Sequence, residues 1–206
     1  MAHQYADIAF TPTVKALQEQ MGSRKAYAHR EQGEEIENRS LSEAEAQFIE
    51  ARDSFYLASV SETGWPYLQH RGGPRGFVKV LGETSIGFAD FSGNRQYVSL
   101  GNTQNDDRVS LFFMDYANRA RLKMYGRLRV IEPEQTGLLN RLAVPGYKAR
   151  IERGILITVE AFDWNCPQHI TPRFTQDEVT TAVAPLHDRI AELEAQLAVY
   201  AAQPNI

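Results

Sequence analysis

The sequence predicts a mainly β protein, an antiparallel barrel flanked by helices at both ends. Three observations predict it. From Phe55 to about Phe162 at least six extended segments follow one another with few helices between them, which favours an antiparallel barrel over a doubly wound sheet. Residues 119–130 alternate basic and apolar positions, the period of a strand with one face in a core. The last thirty residues carry instead a helical seam of apolar residues. Three parts are expected: a helical extension over 1–54, the barrel over 55–173, and a C-terminal helix over 174–206.

The extension opens at Phe10-Thr11-Pro12, where Thr11 suits an N-cap and Pro12 the first helical position. Val14, Leu17 and Met21 give this helix a modest apolar stripe that ends near Gly22. Residues 28–40 are polar and charged and read as a surface connection. Ser42-Glu-Ala-Glu45 has the capping-box pattern and begins a second helix through about Ala51.

Phe55–Val60 and Trp65–Arg71 read as a hairpin around Ser61-Glu-Thr-Gly64. Gly72-Gly73-Pro74-Arg75-Gly76 interrupts the second strand before Phe77–Leu81 resumes it. Glycines in a strand mark a bulge or the close approach of a ligand, and Arg71 beside them offers bidentate recognition of a phosphate. From Thr84 to Asn102 a short apolar strand breaks at Ser92-Gly93 and becomes a short helix. Arg95 is placed in its first turn, and Gly101-Asn102 supplies the stop. A turn feeding a helix N-terminus collects unpaired N–H groups and positive dipole, which suits a phosphorylated cofactor. The plain alternative is a tight turn and connecting helix of the kind any barrel needs.

Arg108–Met114 is apolar on both faces and reads as a strand buried on both sides. After the turn Asp115-Tyr-Ala-Asn118, one strand face carries Arg119, Arg121, Lys123, Arg127 and Arg129 with Tyr125 among them. The other carries Ala120, Leu122, Met124, Leu128 and Val130. A half-solvated strand, a phosphate, or acidic groups across a subunit contact would each account for the cations. A short helix near Pro133–Leu142 leads to a last strand, Ile155–Phe162. The segment Trp164–Arg173 then gathers an aromatic plate, an amide, His169 and Arg173 between two prolines. Val179, Val183, Leu186, Ile190, Leu193, Leu197 and Tyr200 repeat at 4-3-4-3-4-3, an a/d seam of about three heptads. It suits pairing with a second copy or packing along its own barrel.

With one cysteine among 206 residues the chain has no intrachain disulfide and no CxxC metal site. Cys166 and His169 sit on a kinked loop without an orienting acid, a poor nucleophile–base pair. The five histidines show no metal spacing, so no metal is expected. A net charge of −4 argues against nucleic acid as a general partner. No apolar run reaches the roughly 18 residues of a membrane span, and the N-terminus lacks a signal-peptide pattern. A soluble, cytoplasmic protein without a membrane partner is therefore the expectation.

The run from Phe55 to Phe162 resembles the pyridoxamine 5′-phosphate oxidase-like family of flavin-binding split barrels. The resemblance lies in Tyr67-Leu-Gln-His-Arg71 running toward Phe77-Val-Lys-Val80, and in Ala89-Asp-Phe-Ser-Gly-Asn-Arg-Gln96 leading to Asp107-Arg108-Val-Ser-Leu-Phe-Phe113. Trp164 followed nine residues later by Arg173 completes it. It implies a split β-barrel, FMN as cofactor, and a homodimer with shared sites. Arg71 would contact the phosphate or ribityl chain, and Ser92, Asn94, Arg95 and Gln96 belong to the phosphate-binding turn. Arg121 matches a glutamine position on a later strand, and Trp164 and Arg173 would reach the flavin of the other subunit. Gln96 stands where the family often has lysine, and the oxidase's substrate-binding arginine–histidine pair has no counterpart, so FMN binding is implied rather than vitamin B6 oxidation.

The chemistry of FMN agrees. Arginines and a helix N-terminus suit its phosphate, Gln69 and Gln96 its ribityl chain, and Phe77, Phe91 or Trp164 its ring. His70 lies within the same motif. The expected function is an FMN-dependent oxidoreductase acting with a small redox substrate such as NAD(P)H. The alternatives are a non-catalytic flavin or haem binder, with His70, His169 or His187 as an iron ligand, and a protein that interacts through its heptads.

Overall fold

In a computed structural model, which describes residues 4–32, 39–164 and 166–201, the strands form one antiparallel seven-stranded sheet. Asn165, the amide expected in the Trp164–Arg173 segment, and positions 33–38 of the polar connection lie outside the described residues. Chain contacts divide the protein into two units. The first comprises residues 1–115 and 120–168, and the second residues 116–119 and 169–206.

In the first unit α1 (Gln4–Ala9), α2 (Pro12–Gln20), α3 (Arg24–Gln32) and α4 (Glu43–Glu50) precede the strands. α2 begins as the sequence predicts: Thr11 is its N-cap, its hydroxyl accepting from the Val14 N–H, and Pro12 is the first residue. α4 closes a full capping box between Ser42 and Glu45. Helix α1 was not anticipated. α3 occupies part of the stretch read as a surface connection, because Arg24–Gln32 is rich in good helix formers despite lacking an apolar stripe.

The strands are β1 (Ser54–Val60), β2 (Pro66–Gly72), β3 (Val78–Gly82), β4 (Ser85–Phe91), β5 (Arg108–Asp115), β6 (Ala120–Ile131) and β7 (Ile151–Trp164). α5 (Val98–Asn105) follows β4 and α6 (Thr136–Leu142) precedes β7. The sheet order is β2-β1-β5-β6-β7-β4-β3. Pairings run Phe55 to Arg71 between β1 and β2, Leu111 to Met124 between β5 and β6, and Phe88 to Ile155 between β4 and β7. β2 ends one side of the sheet while β4 stands next to its far end. Nevertheless Arg71 Nη1 on β2 lies 2.6 Å from Asp90 Oδ1 on β4. The sheet therefore curls into a barrel, and side chains rather than a backbone ladder join its two ends. This is a split barrel.

A main hydrophobic cluster fills it, and Ala89, Ile131 and Leu142 centre a second, smaller one. Phe55, Phe77, Phe88 and Phe113 form an aromatic centre, with Phe55 stacked 4.9 Å from Phe113 and edge-on at 5.3 Å to Phe88. Leu41 and Ile49 from the N-terminal segment join the same cluster. β5 departs from its expected burial on both faces. Val109, Leu111 and Phe113 are buried, whereas Ser110, Phe112 and Met114 are only half-buried.

Two glycines are fixed by packing. A Cβ on Gly126 would stand 2.7 Å from both Ile157 Cγ2 and the Thr158 carbonyl oxygen, where the β6–β7 register shifts. A Cβ on Gly73 would meet the Phe77 ring at 2.7 Å. The glycine break after Arg71 thus makes room for a core phenylalanine, where the sequence left a bulge or a ligand's approach as the readings.

The second unit contains the turn Tyr116–Arg119 and α7 (Gln176–Ala201). Arg173 places its guanidinium 5.0 Å from the centre of the Tyr116 ring, a cation–π contact. All seven heptad residues lie on α7. No helix among the described residues is long and apolar enough to cross a membrane.

Candidate functional site

A cleft of about 390 Å³ opens between β2, β4 and the start of α5, within the roughly 300–1,000 Å³ usual for small-molecule sites. The alternation of β2 turns Tyr67, Gln69 and Arg71 to it. β4 supplies its floor with Phe88 and continues into the rim with Phe91 and Ser92.

The rim is an unusual turn. Arg95 and Tyr97 both have left-handed backbones, with φ of 59° and 56°. Such conformations are uncommon for residues with side chains, and where they occur they concentrate at ligand clamps. The Asn94 side chain folds back to accept from the Gln96 N–H at 3.2 Å. α5 starts at Val98, and its N-cap, Tyr97, makes no side-chain capping bond. The first-turn N–H groups of α5 therefore remain available to an anion. Arg95 lies three residues before this helix, not in its first turn as expected, because the two left-handed residues postpone helical geometry. Gly101, expected as the stop, sits inside the helix, where a Cβ would meet nothing.

Charge is organised in two linked pairs. Asp90, buried, receives Arg71 at 2.6 Å, and Arg153 Nε lies 3.5 Å from its other oxygen. Glu152 accepts from the Ser92 hydroxyl at 2.9 Å and from Arg153 at 3.2 Å, while Arg95 Nε stands 3.9 Å away. The Ser92 hydrogen bond, with Arg153 and Arg95 beside it, holds the Glu152 carboxyl below the ordinary carboxylate range. Three arginines against two carboxylates leave one net positive charge. The Nε atoms of Arg71 and Arg153 are buried without hydrogen-bond partners. Arg95 keeps most of its side chain exposed, at 69%.

Nine of the residues selected from sequence line this cleft: Gln69, His70, Arg71, Phe77, Phe91, Ser92, Asn94, Arg95 and Gln96. Gln69 is already engaged, since its amide oxygen accepts from the Ser99 hydroxyl at 2.9 Å. His70 is exposed at the rim, its ring edge-on to Tyr56. Sequence reasoning missed Tyr67, Asp90, Tyr97, Tyr147 and Glu152. Of these, Tyr67 and Asp90 stood within the Tyr67–Arg71 and Ala89–Gln96 motifs. Tyr147, edge-on to Phe91 at 5.0 Å, gave no local signal.

Arg121 and Trp164 do not line the cleft of this chain, and Arg173 belongs to the second unit. The Trp164 indole donates to Glu45 Oε1 at 2.7 Å, and its ring stands edge-on to Phe48 at 4.6 Å. Arg121 leaves its Nε buried and without a hydrogen bond on β6. Two of the cations on the basic face around it are paired with acids of the same chain. Lys123 pairs with Asp163 at 3.1 Å, and Arg127 with Asp107 and Glu160 at 2.7 and 3.2 Å. The sequence pattern of one strand could not show that its neighbour β7 carries the acids. No cluster of three potential metal ligands occurs among the described residues.

Glu45 ties α4 to β7 and gives a pH-dependent expectation. Burial pushes its carboxyl up, but the hydrogen bonds from Ser42 and Trp164 outweigh burial and leave it below its ordinary 4.5. A carboxylate depressed in the folded state stabilises above its unfolded value and loses that contribution as pH falls through the folded one. Glu45→Gln should therefore cost about 1.5 kcal/mol at pH 7. The gap from the parent chain should shrink steadily below pH 4.5, as read by urea unfolding across pH. A gap independent of pH would contradict the assignment.

The family model for pyridoxamine 5′-phosphate oxidase matches residues 41–155, more than half of the chain. No curated protein matches the sequence. Among solved structures, an FMN-binding protein from Syntrophomonas wolfei is 12% identical with a TM-score of 0.46, covering 72% of this chain and 97% of that one. HupZ from Group A Streptococcus is 11% identical with a TM-score of 0.45, covering 65% and 99%. A protein from Clostridium acetobutylicum related to general stress protein 26 of the pyridoxinephosphate oxidase family is 14% identical with a TM-score of 0.43, covering 65% and 92%.

Proposed function

We propose that this chain, which belongs to the pyridoxamine 5′-phosphate oxidase family, binds FMN in the cleft and works as an FMN-dependent oxidoreductase. The observation that carries the reading is the uncapped N-terminus of α5 beside the exposed Arg95, next to a cluster with one net positive charge. These residues fit the phosphate of FMN. The aromatic lining, with Tyr67, Phe91 and Tyr147, fits a flat apolar ring. When bound, the flavin supplies the redox chemistry, accepting and donating electrons in its ring.

The chain's own residues would bind and orient it. Arg95 and the α5 N–H groups receive the phosphate, and Arg71 is held in place by Asp90 so that its position does not depend on the ligand. Gln96 is placed to serve the ribityl chain. The closed aromatic floor of Phe77 and Phe88 keeps water from the inner side of the cleft. The partner molecule is a small redox substrate of the NAD(P)H type. Two copies form the working unit, with Trp164 and Arg173 contributed to the site of the opposite copy, in a cytoplasmic setting.

Arg95→Ala tests the reading. A charge-assisted contact to phosphate is worth about 1.5–3 kcal/mol, so FMN affinity should fall roughly ten- to a hundred-and-fifty-fold. Titration of the apo-protein with FMN, followed by quenching of flavin fluorescence, measures it. Arg95 is exposed, so the variant should unfold at an unchanged urea midpoint. Equal affinity in both chains removes Arg95 from the site. A parent chain that binds no FMN removes the reading itself.

A further inference from the structure

α7 leaves its seam open to solvent. Leu186 is 62% exposed, Leu197 66% and Tyr200 71%, and Val179, Ile190 and Leu193 are exposed as well. A 26-residue helix with one continuous apolar stripe needs a partner for that stripe. The residue types along the seam say which. The 4-3 spacing makes Val183, Ile190 and Leu197 the a positions, and Val179, Leu186, Leu193 and Tyr200 the d positions. In the central layers Val183 and Ile190 at a with Leu186 and Leu193 at d make the combination that favours two parallel strands.

The charges agree. Arg189 falls at g and Glu194 at the e position five residues on. In a parallel, in-register pair each g residue faces the following e residue of the other helix, so Arg189 meets Glu194 twice, once on each side. Reversing one helix sets g against g and e against e and loses that match. Pro185, inside the helix, falls at c, on the outer side of the seam, so its missing N–H does not interrupt the a/d contact.

We propose that α7 forms a parallel, in-register, two-stranded coiled coil with α7 of a second copy of this chain. The occupant of the exposed seam is thus the same seam, related by a two-fold axis along the coil.

The test uses the full chain with its one cysteine, Cys166, changed to Ser, so that every disulfide formed is between chains. Leu186→Cys and Leu193→Cys are made separately and oxidised with diamide at low micromolar concentration. In a parallel in-register coil each d residue faces its own copy, near the about 4.4–6.8 Å Cα separation that a disulfide accepts. Both variants should link nearly completely. Ala195→Cys, at the outward f position, should link at least tenfold more slowly. Adding Ile190→Asp to the Leu193→Cys chain should slow its linking at least tenfold. Linking at only one of 186 and 193 means an antiparallel or shifted pair, and overturns the proposal. Linking at neither, or as fast at 195, overturns it as well.

Discussion

Phe55→Ala is expected to lower stability by about 3–5 kcal/mol, the cost of a cavity at the centre of a packed aromatic core. Phe55 is 1% exposed and touches Phe77, Phe88 and Phe113 at ring-centre distances of 5.9, 5.3 and 4.9 Å. Phe77 and Phe88 also line the cleft, so the lost ring takes support from the site as well as from the barrel. With a urea dependence of about 2 kcal/mol/M the unfolding midpoint should drop by about 2 M. Phe174→Ala is the matched control, since Phe174 is 63% exposed and its loss should change stability by under about 0.5 kcal/mol. Equal effects of the two substitutions would mean that the aromatic centre does not hold the barrel.

Asp90→Ala is expected to be nearly as costly and to act on both stability and binding. It removes the carboxylate that holds Arg71, whose Nε is already buried without a partner, and it leaves two guanidinium groups side by side. Breaking one side of a buried ion pair typically costs about 3–5 kcal/mol. Removing both sides is a different change, because one charge of each sign is lost and the remaining Arg153 keeps Glu152 as its partner. The double variant Asp90→Ala, Arg71→Met should regain most of the lost stability while FMN affinity stays low. Urea unfolding and flavin titration on the three chains separate the two effects. Full recovery of FMN binding in the double variant would show that Arg71 plays no part in holding the ligand.

The fold was legible where patterns are local. Thr11-Pro12 and Ser42–Glu45 announced α2 and α4 through capping chemistry, and the alternation of residues 120–130 announced β6. α1 and α3 carried no equivalent: neither begins with a capping pattern of that strength, and α3 lacks an apolar stripe. At the cleft, single residue types within a motif were legible, but their conformations were not. Arg95 and Tyr97 adopt left-handed geometry that no propensity predicts for arginine or tyrosine, which moved the start of α5 to Val98. Partners on distant strands were equally hidden. Asp163 and Glu160 balance Lys123 and Arg127 only because β7 lies beside β6, and Asp90 meets Arg71 only because the sheet curls.

The junction between β2 and β4 has an evolutionary consequence. Elsewhere around the barrel, neighbouring strands are tied by backbone ladders that every residue must respect, as the crowding at Gly126 shows. Across the split the tie is a pair of side chains, Arg71 and Asp90, and the neighbouring arginine. Side chains change by single-codon steps, whereas ladders do not. A lineage carrying this fold can therefore recharge its cleft by changing two side chains together, with the ladder-bonded wall left untouched. Diversity of cargo should accumulate at this seam and spare the strands opposite it.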